Sequence, residues 1–138
     1  MLMQEWLIPY ATTIWMMGLM GIVILVQLIV VDVAGIRVGH VPGAPVTGGH
    51  DDFFFRASRA HANTTESIAV FVLAAVFGIL HNASPWWLNG GAVVYVAARI
   101  AHMLCYYGDV RLARSASFVV AFVALIVMLA AGVLAGVR

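Results

Sequence analysis

The stretch RASRAHANTTESIAVFVLAAVFGIL, residues 56–80, joins a polar opening to an uninterrupted apolar run. Crossing the hydrocarbon core of a bilayer takes about 20 helical residues. The apolar part reaches that length only if the helix begins within the polar opening. The stretch therefore predicts a membrane-spanning helix that carries two arginines, a histidine, an asparagine and a glutamate at one end.

The composition of the whole chain agrees with a membrane protein. Its 138 residues, enough for one domain, are 64% hydrophobic and 9% charged, with no lysine. A net charge of +1 excludes a basic face for nucleic acid, so we expect no nucleic-acid partner. A single cysteine, Cys105, excludes an intramolecular disulfide.

Four apolar runs predict an all-α integral membrane four-helix bundle, as a single domain over residues 1–138. We expect the first run to end at Asp32, and to be a retained span because it is too long for a signal peptide. Asp51 or Asp52 is the expected N-cap of the second helix. The predicted helices lie at about 6–31, 53–81, 87–107 and 115–137.

Arginines are unevenly distributed between the connecting loops, and arginine-rich loops stay in the cytoplasm. The loop between the second and third helices has none, and the C-terminal end has only Arg138. We therefore expect both termini outside the cytoplasm and a functional site facing it. The remaining loops carry Arg37, Arg56, Arg59, Arg111 and Arg114.

The long connection at residues 32–52 is rich in glycine and proline, so an irregular loop or a lid over a cytoplasmic site is expected. Phe53, Phe54 and Phe55 should rest at the membrane interface. Histidines and aspartates in this loop could be drawn as a metal site, but such loop residues are usually solvated. We expect no metal.

Two polar stripes fall at helical spacing. Arg56, Arg59, Asn63 and Glu66 share one face of the second helix, and Arg99, His102 and Tyr106 share one face of the third. An unpaired arginine inside a membrane costs on the order of 3 kcal/mol or more. Glu66 is the carboxylate at matching depth, which predicts an ion pair between Glu66 and Arg99.

These stripes have two interpretations. They could be polar contacts that hold the helices together, or they could line a binding site. Guanidinium groups suit carboxylates and phosphates, and the surrounding walls are apolar. A site would then join a water-soluble anion to a lipophilic small-molecule substrate dissolved in membrane lipid.

The pattern as a whole resembles a known family. It consists of R-A-H-x-N-x-x-E at residues 59–66, R-x-x-H-x-x-x-Y at residues 99–106, and Arg114 followed by Ser115, in that order within four helices. Over nearly its whole length the chain is similar to the MAPEG superfamily, the membrane-associated proteins of eicosanoid and glutathione metabolism. It looks most like the microsomal glutathione transferases.

The resemblance implies a homotrimer that holds glutathione as co-substrate between neighbouring subunits near the cytoplasmic face. Arg114 matches the arginine that stabilises the glutathione thiolate, and Ser115 its hydroxyl neighbour. The positions that match glutathione contacts are Arg37, Arg59, Asn63, Glu66, Arg99, His102 and Tyr106.

The implied activity is a detoxifying glutathione transferase or peroxidase that attacks a lipophilic electrophile. Two positions depart from the family pattern. Ala62 replaces a basic residue of some members, and Phe118 replaces a tyrosine of the isomerase branch. Two other hypotheses remain: a non-enzymatic membrane protein that binds a lipid or metabolite, and a structural bundle without a ligand.

Overall fold

Four long helices and one short one make up most of the chain. The computed structural model describes residues 2–137, with side chains from residue 5 onward; Met1 and Arg138 lie outside the described residues. Within residues 2–137, four segments are long and apolar enough to cross a membrane, which confirms the predicted helical architecture. The elements are α1 (Leu2–Leu7), a 3-10 turn (Ile8–Tyr10), α2 (Ala11–Arg37), α3 (Phe53–Leu80), α4 (Pro85–Tyr107) and α5 (Arg111–Gly136).

The central helices of the bundle are α3 and α4, which each pack against all three other long helices. Of the 18 most apolar consecutive residues of α4, 50% are buried within the chain. The corresponding share for the first span is 17%. Consecutive spans run in opposite directions, because each connection, long or short, reverses the chain. The end of α2, the start of α3, the end of α4 and the start of α5 therefore lie at one end of the bundle.

The first span is longer than the sequence predicted, because α2 continues through Asp32 to Arg37. Asp32 is exposed and does not interrupt the helix. The helix ends at Arg37, two residues before Gly39, which adopts a φ of +68°. The amide of His40 then bonds the carbonyl of Gly35 at 2.9 Å, in a glycine-dependent motif that satisfies the free carbonyls of a helix end.

The start of α3 confirms one prediction and corrects another. The Asp52 side chain accepts a hydrogen bond from the Phe54 amide at 3.0 Å, so Asp52 is the N-cap. Phe54, however, is buried rather than placed at the membrane interface. Its ring packs where a Cβ on Gly35 would come within 3.1 Å, so this glycine lets α2 and α3 approach closely. Phe53 remains exposed, as expected.

The opposite end of the bundle is held by hydrogen bonds from the N-terminal segment. The Tyr10 hydroxyl donates to the Ala83 carbonyl at 2.8 Å, and the Trp6 indole N–H donates to Asn82 Oδ1 at 2.6 Å. The Thr13 hydroxyl donates to Asn89 Oδ1 at 2.7 Å. These contacts hold the α3–α4 connection and the start of α4 against the N-terminal segment and the first turn of α2.

Candidate functional site

Arg99 is the most deeply buried cation of the described residues, with 1% of its surface exposed. Its Nη2 donates to Asn63 Oδ1 at 3.0 Å and also to the backbone carbonyl of Asn63. One residue of α3 thus supplies two acceptors to the guanidinium. The predicted stripes of α3 and α4 are therefore in contact, through the guanidinium of Arg99 and the side-chain amide of Asn63.

The predicted ion pair between Glu66 and Arg99 is not formed within one chain. Glu66 is exposed, and the one salt bridge among residues 5–137 joins Arg111 to Asp109 at 3.7 Å. Three residues along a helix leave side chains about 60° apart around its axis. Asn63 faces α4, so Glu66 is turned toward the outside of the bundle.

His102 connects α4 to the first turn of α5. Its Nδ1 lies 2.8 Å from the carbonyl oxygen of Arg114. A carbonyl can only accept, so Nδ1 carries a proton and donates. This contact fixes the backbone of Arg114, which lies inside α5 because that helix begins at Arg111 rather than at the predicted residue 115.

The Arg114 side chain lies in an aromatic setting. Its guanidinium carbon is 4.6 Å from the centroid of the buried Tyr106 ring, a cation–π contact. Its Nη1 is 3.2 Å from Nδ1 of His50. The His50 ring stacks on Tyr106 with centroids 6.2 Å apart. Arg114 is thus a half-buried cation with a defined orientation.

We call Asn63, Arg99, His102, Tyr106 and Arg114 the cluster. Other predicted site residues lie outside it within one chain. Arg59 is exposed, like Glu66. Arg37 is exposed and lines a separate cavity of about 370 Å³ together with Asp52 and Phe53. The Ser115 hydroxyl donates to the Arg111 carbonyl of its own helix at 3.2 Å. The structure therefore brings together Asn63, Arg99, His102, Tyr106 and Arg114.

His50 and Arg56 belong to the cluster. Arg56 stood in the predicted stripe but not among the positions matched to glutathione contacts, and the sequence did not nominate His50 as a site residue. Arg56 donates from Nη1 to the His50 carbonyl and from Nη2 to the Tyr107 carbonyl at 3.4 Å. His50 precedes the N-cap of α3 by two residues, which was the available signal for its position. Among residues 5–137 no three His, Cys, Asp or Glu side chains are close enough together to hold a metal ion.

Several buried polar atoms at this end have no hydrogen-bond partner within the described residues. They include Nε of Arg99, Nε2 of His102, Nε of Arg56 and the hydroxyl of Tyr107. Buried polar groups in proteins are almost always hydrogen-bonded. Three of these four atoms are N–H or O–H donors, so this end of the bundle holds hydrogen-bonding capacity that the described residues do not use.

The comparison with protein families agrees with this arrangement. No curated protein matches the chain at a significant level. The profile of the MAPEG family matches residues 12–134, which cover nearly all of the four spanning segments and every residue of the cluster. Four spans together with this match make the protein a multi-pass integral membrane protein. The chain belongs to the MAPEG family.

Proposed function

We propose that the protein is a membrane glutathione transferase or peroxidase that activates the glutathione thiol for attack on a lipophilic electrophile. Membership of the MAPEG family supports a function of the glutathione-transferase or eicosanoid-metabolism kind. The observation that carries the finer proposal is Arg114, a half-buried guanidinium held at 4.6 Å from the Tyr106 ring.

Thiol activation follows from the charge of Arg114. A free thiol with a pKa near ~8.5 is mostly protonated at neutral pH. A guanidinium cannot lose its proton in a protein, and in a site of low dielectric it favours the thiolate beside it. The thiol proton passes to water, and the thiolate sulfur bonds to the electrophilic atom of the lipophilic substrate while the leaving group departs with the electron pair of the broken bond. With a hydroperoxide the sulfur takes the outer oxygen, the O–O bond breaks and the alcohol leaves. A second glutathione thiol then displaces that oxygen as water, which gives the disulfide.

The rest of the cluster suits the rest of glutathione. This tripeptide carries two carboxylates and one ammonium group. Arg99, buried and held by Asn63, offers a fixed guanidinium for a carboxylate. Arg59 and Glu66 offer one charge of each sign on the outer face of α3, where Glu66 can pair with the ammonium.

The exposed charges of α3 favour assembly into a homotrimer. Glu66 lies near the middle of a 28-residue helix and is exposed in a single chain. A charged side chain that faces lipid inside the hydrocarbon core carries a cost that rises to about 2.5–3.5 kcal/mol at the bilayer centre. A neighbouring copy that covers this face removes that cost, and it can bring Arg37 to a site shared between copies.

The distribution of arginines supports a cytoplasmic site. Arg37, Arg56, Arg59, Arg111 and Arg114 all lie at or near one end of the bundle, and positively charged loops remain inside. Both termini are then outside the cytoplasm. Water-soluble glutathione enters from the cytoplasm, and the lipophilic substrate arrives through the membrane.

Calorimetric titration of glutathione into the detergent-purified protein tests this function. We expect saturable binding by the wild type and weaker binding by Glu66→Gln. Arg114→Ala should still bind glutathione but without the thiolate absorbance, whereas Arg111→Ala, which removes a neighbouring exposed arginine, should behave as the wild type. No binding by an assembled wild-type protein would favour the lipid-binding hypothesis instead.

A further inference from the structure

The last residues of the α2–α3 connection form a strap, residues 48–52, that passes over Arg114. The strap is anchored at both sides of His50. Asp52 caps α3, and Gly48 adopts a φ of +126°, which a residue with a side chain rarely does. Arg56 holds the carbonyl of His50 and reaches the carbonyl of Tyr107 at the end of α4. These contacts therefore hold the backbone of His50 in place.

The hydrogen bond between His50 and Arg114 has only one possible direction. A guanidinium has five donors and no acceptor, so Nη1 of Arg114 donates and Nδ1 of His50 accepts at 3.2 Å. The His50 proton is then on Nε2. The same imidazole packs edge-on against Phe55 at 5.5 Å, which fixes the ring plane.

We propose that His50 is a positioning residue that holds the Arg114 guanidinium in the orientation needed to stabilise the glutathione thiolate. The proposal rests on the proposed function and adds a residue to it. An arginine side chain has several rotatable bonds, and a free one would turn its head group into water. His102 fixes only the Arg114 backbone and Tyr106 contacts only one face of the guanidinium, so His50 supplies the one directional contact to its head group among residues 5–137.

The physical gain is preorganisation. A charge stabilises a developing anion best when it needs no rearrangement at the moment of reaction. Since His50 accepts only one of the five donors of Arg114, the others remain available to the thiolate sulfur. A neutral imidazole orients the guanidinium without cancelling its charge, which a carboxylate in the same place would do.

Three variants test the proposal. His50→Ala removes the acceptor, and His50→Asn restores an acceptor oxygen near the position of Nδ1. His40→Ala is the matched control, because His40 lies in the same connection and packs on Phe54, with ring centroids 4.8 Å apart, away from Arg114. The readouts are the pH titration of the thiolate absorbance of bound glutathione and the glutathione Kd from calorimetry.

We expect His50→Ala to raise the pKa of the bound thiol by about 1 with less than about a threefold change in Kd, because the charge remains but loses its orientation. His50→Asn should recover most of this change, and His40→Ala should equal the wild type. An unchanged thiol pKa in His50→Ala would overturn the proposal. So would a large loss of affinity at constant thiol pKa, which would make His50 a binding residue.

A measurement without glutathione separates this inference from the proposed function. Phenylglyoxal modifies accessible arginines, and mass spectrometry can follow Arg114 with Arg111 as internal reference, since 69% of the Arg111 side chain is exposed. We expect faster modification of Arg114 in His50→Ala than in the wild type or His40→Ala. Equal rates would overturn the positioning role even if the wild type binds glutathione. Failure of the wild type to bind glutathione would overturn the proposed function, while the labelling still tests the contact.

Discussion

The imidazole of His102 donates from Nδ1 to the carbonyl oxygen of Arg114 at 2.8 Å, and this bond joins α4 to the first turn of α5. The aromatic ring of Tyr106, one turn further along α4, supports the side chain of the same arginine. Two residues of one helix thus contact Arg114, His102 at its backbone and Tyr106 at its side chain. Arg99, the third residue of the predicted stripe, bonds Asn63 of α3 instead.

The first prediction concerns this bond. His102→Ala removes a buried donor and should lower the free energy of unfolding by about 1–3 kcal/mol, because the ring is buried and its partner loses a hydrogen bond. Thermal unfolding in detergent measures the loss. Ser115→Ala is the control: its exposed hydroxyl bonds only its own helix, so the midpoint should move little. Equal effects of the two variants would contradict the structural role of His102.

The second prediction separates the two candidate partners of Arg99. Asn63→Ala leaves a buried guanidinium without its amide acceptor and should cost about 1.5–3 kcal/mol of stability. Glu66→Gln should leave the stability of the single chain almost unchanged, since Glu66 is exposed and makes no ion pair there. Unfolding of detergent-dispersed monomers compares the two. A larger loss of stability in Glu66→Gln than in Asn63→Ala would contradict this account and support the ion pair between Glu66 and Arg99 that the sequence predicted.

The third prediction concerns a polar contact in the middle of the bundle. The fully buried Gln27 donates from Nε2 to the Thr64 hydroxyl at 3.1 Å, while its Oε1 has no partner within the described residues. Thr64→Val alone leaves the Gln27 amide nitrogen without its acceptor and should lower the free energy of unfolding by about 1–3 kcal/mol. The double variant with Gln27→Met removes both polar groups and should be nearly neutral. A double-mutant cycle of unfolding free energies checks this, and additive losses would refute it.

The fourth prediction compares two adjacent glycines in α4. A Cβ on Gly91 would lie 2.5 Å from Cγ of Met128, whereas a Cβ on Gly90 would meet nothing within 4 Å. Gly91→Ala should therefore destabilise the bundle by about 1–3 kcal/mol through overpacking. Gly90→Ala should be neutral or stabilising by up to about 1 kcal/mol, because alanine is the better helix former. The opposite order in thermal unfolding would show that α4 and α5 are packed differently.

Hydropathy was sufficient to predict the four spans. The N-cap at Asp52 was predictable because an aspartate stands directly in front of an apolar helix. The end of α2 did not follow, because the charge of Asp32 ends an apolar run but not a helix. The left-handed Gly39 ends it six residues beyond the predicted residue 31, at Arg37. Periodicity thus located polar faces better than it located helix ends.

Within the site, periodicity placed Arg99 and Asn63 on facing stripes but could not choose between Asn63 and Glu66 as the partner. That choice depends on the rotation and relative depth of two helices, which residue spacing does not contain. His50 was missed because its position depends on the path of an irregular loop through Gly48. Sequence patterns describe regular elements, and this contact arises from tertiary structure.

The most direct test of thiol activation by Arg114 is the pH titration of the thiolate absorbance of glutathione bound to the wild type and to Arg114→Ala. We expect the bound thiol pKa in the wild type to fall at least about 1 below the free value near ~8.5, and to return toward that value in Arg114→Ala. Bound glutathione that titrates in the wild type as it does in water would contradict thiol activation by Arg114.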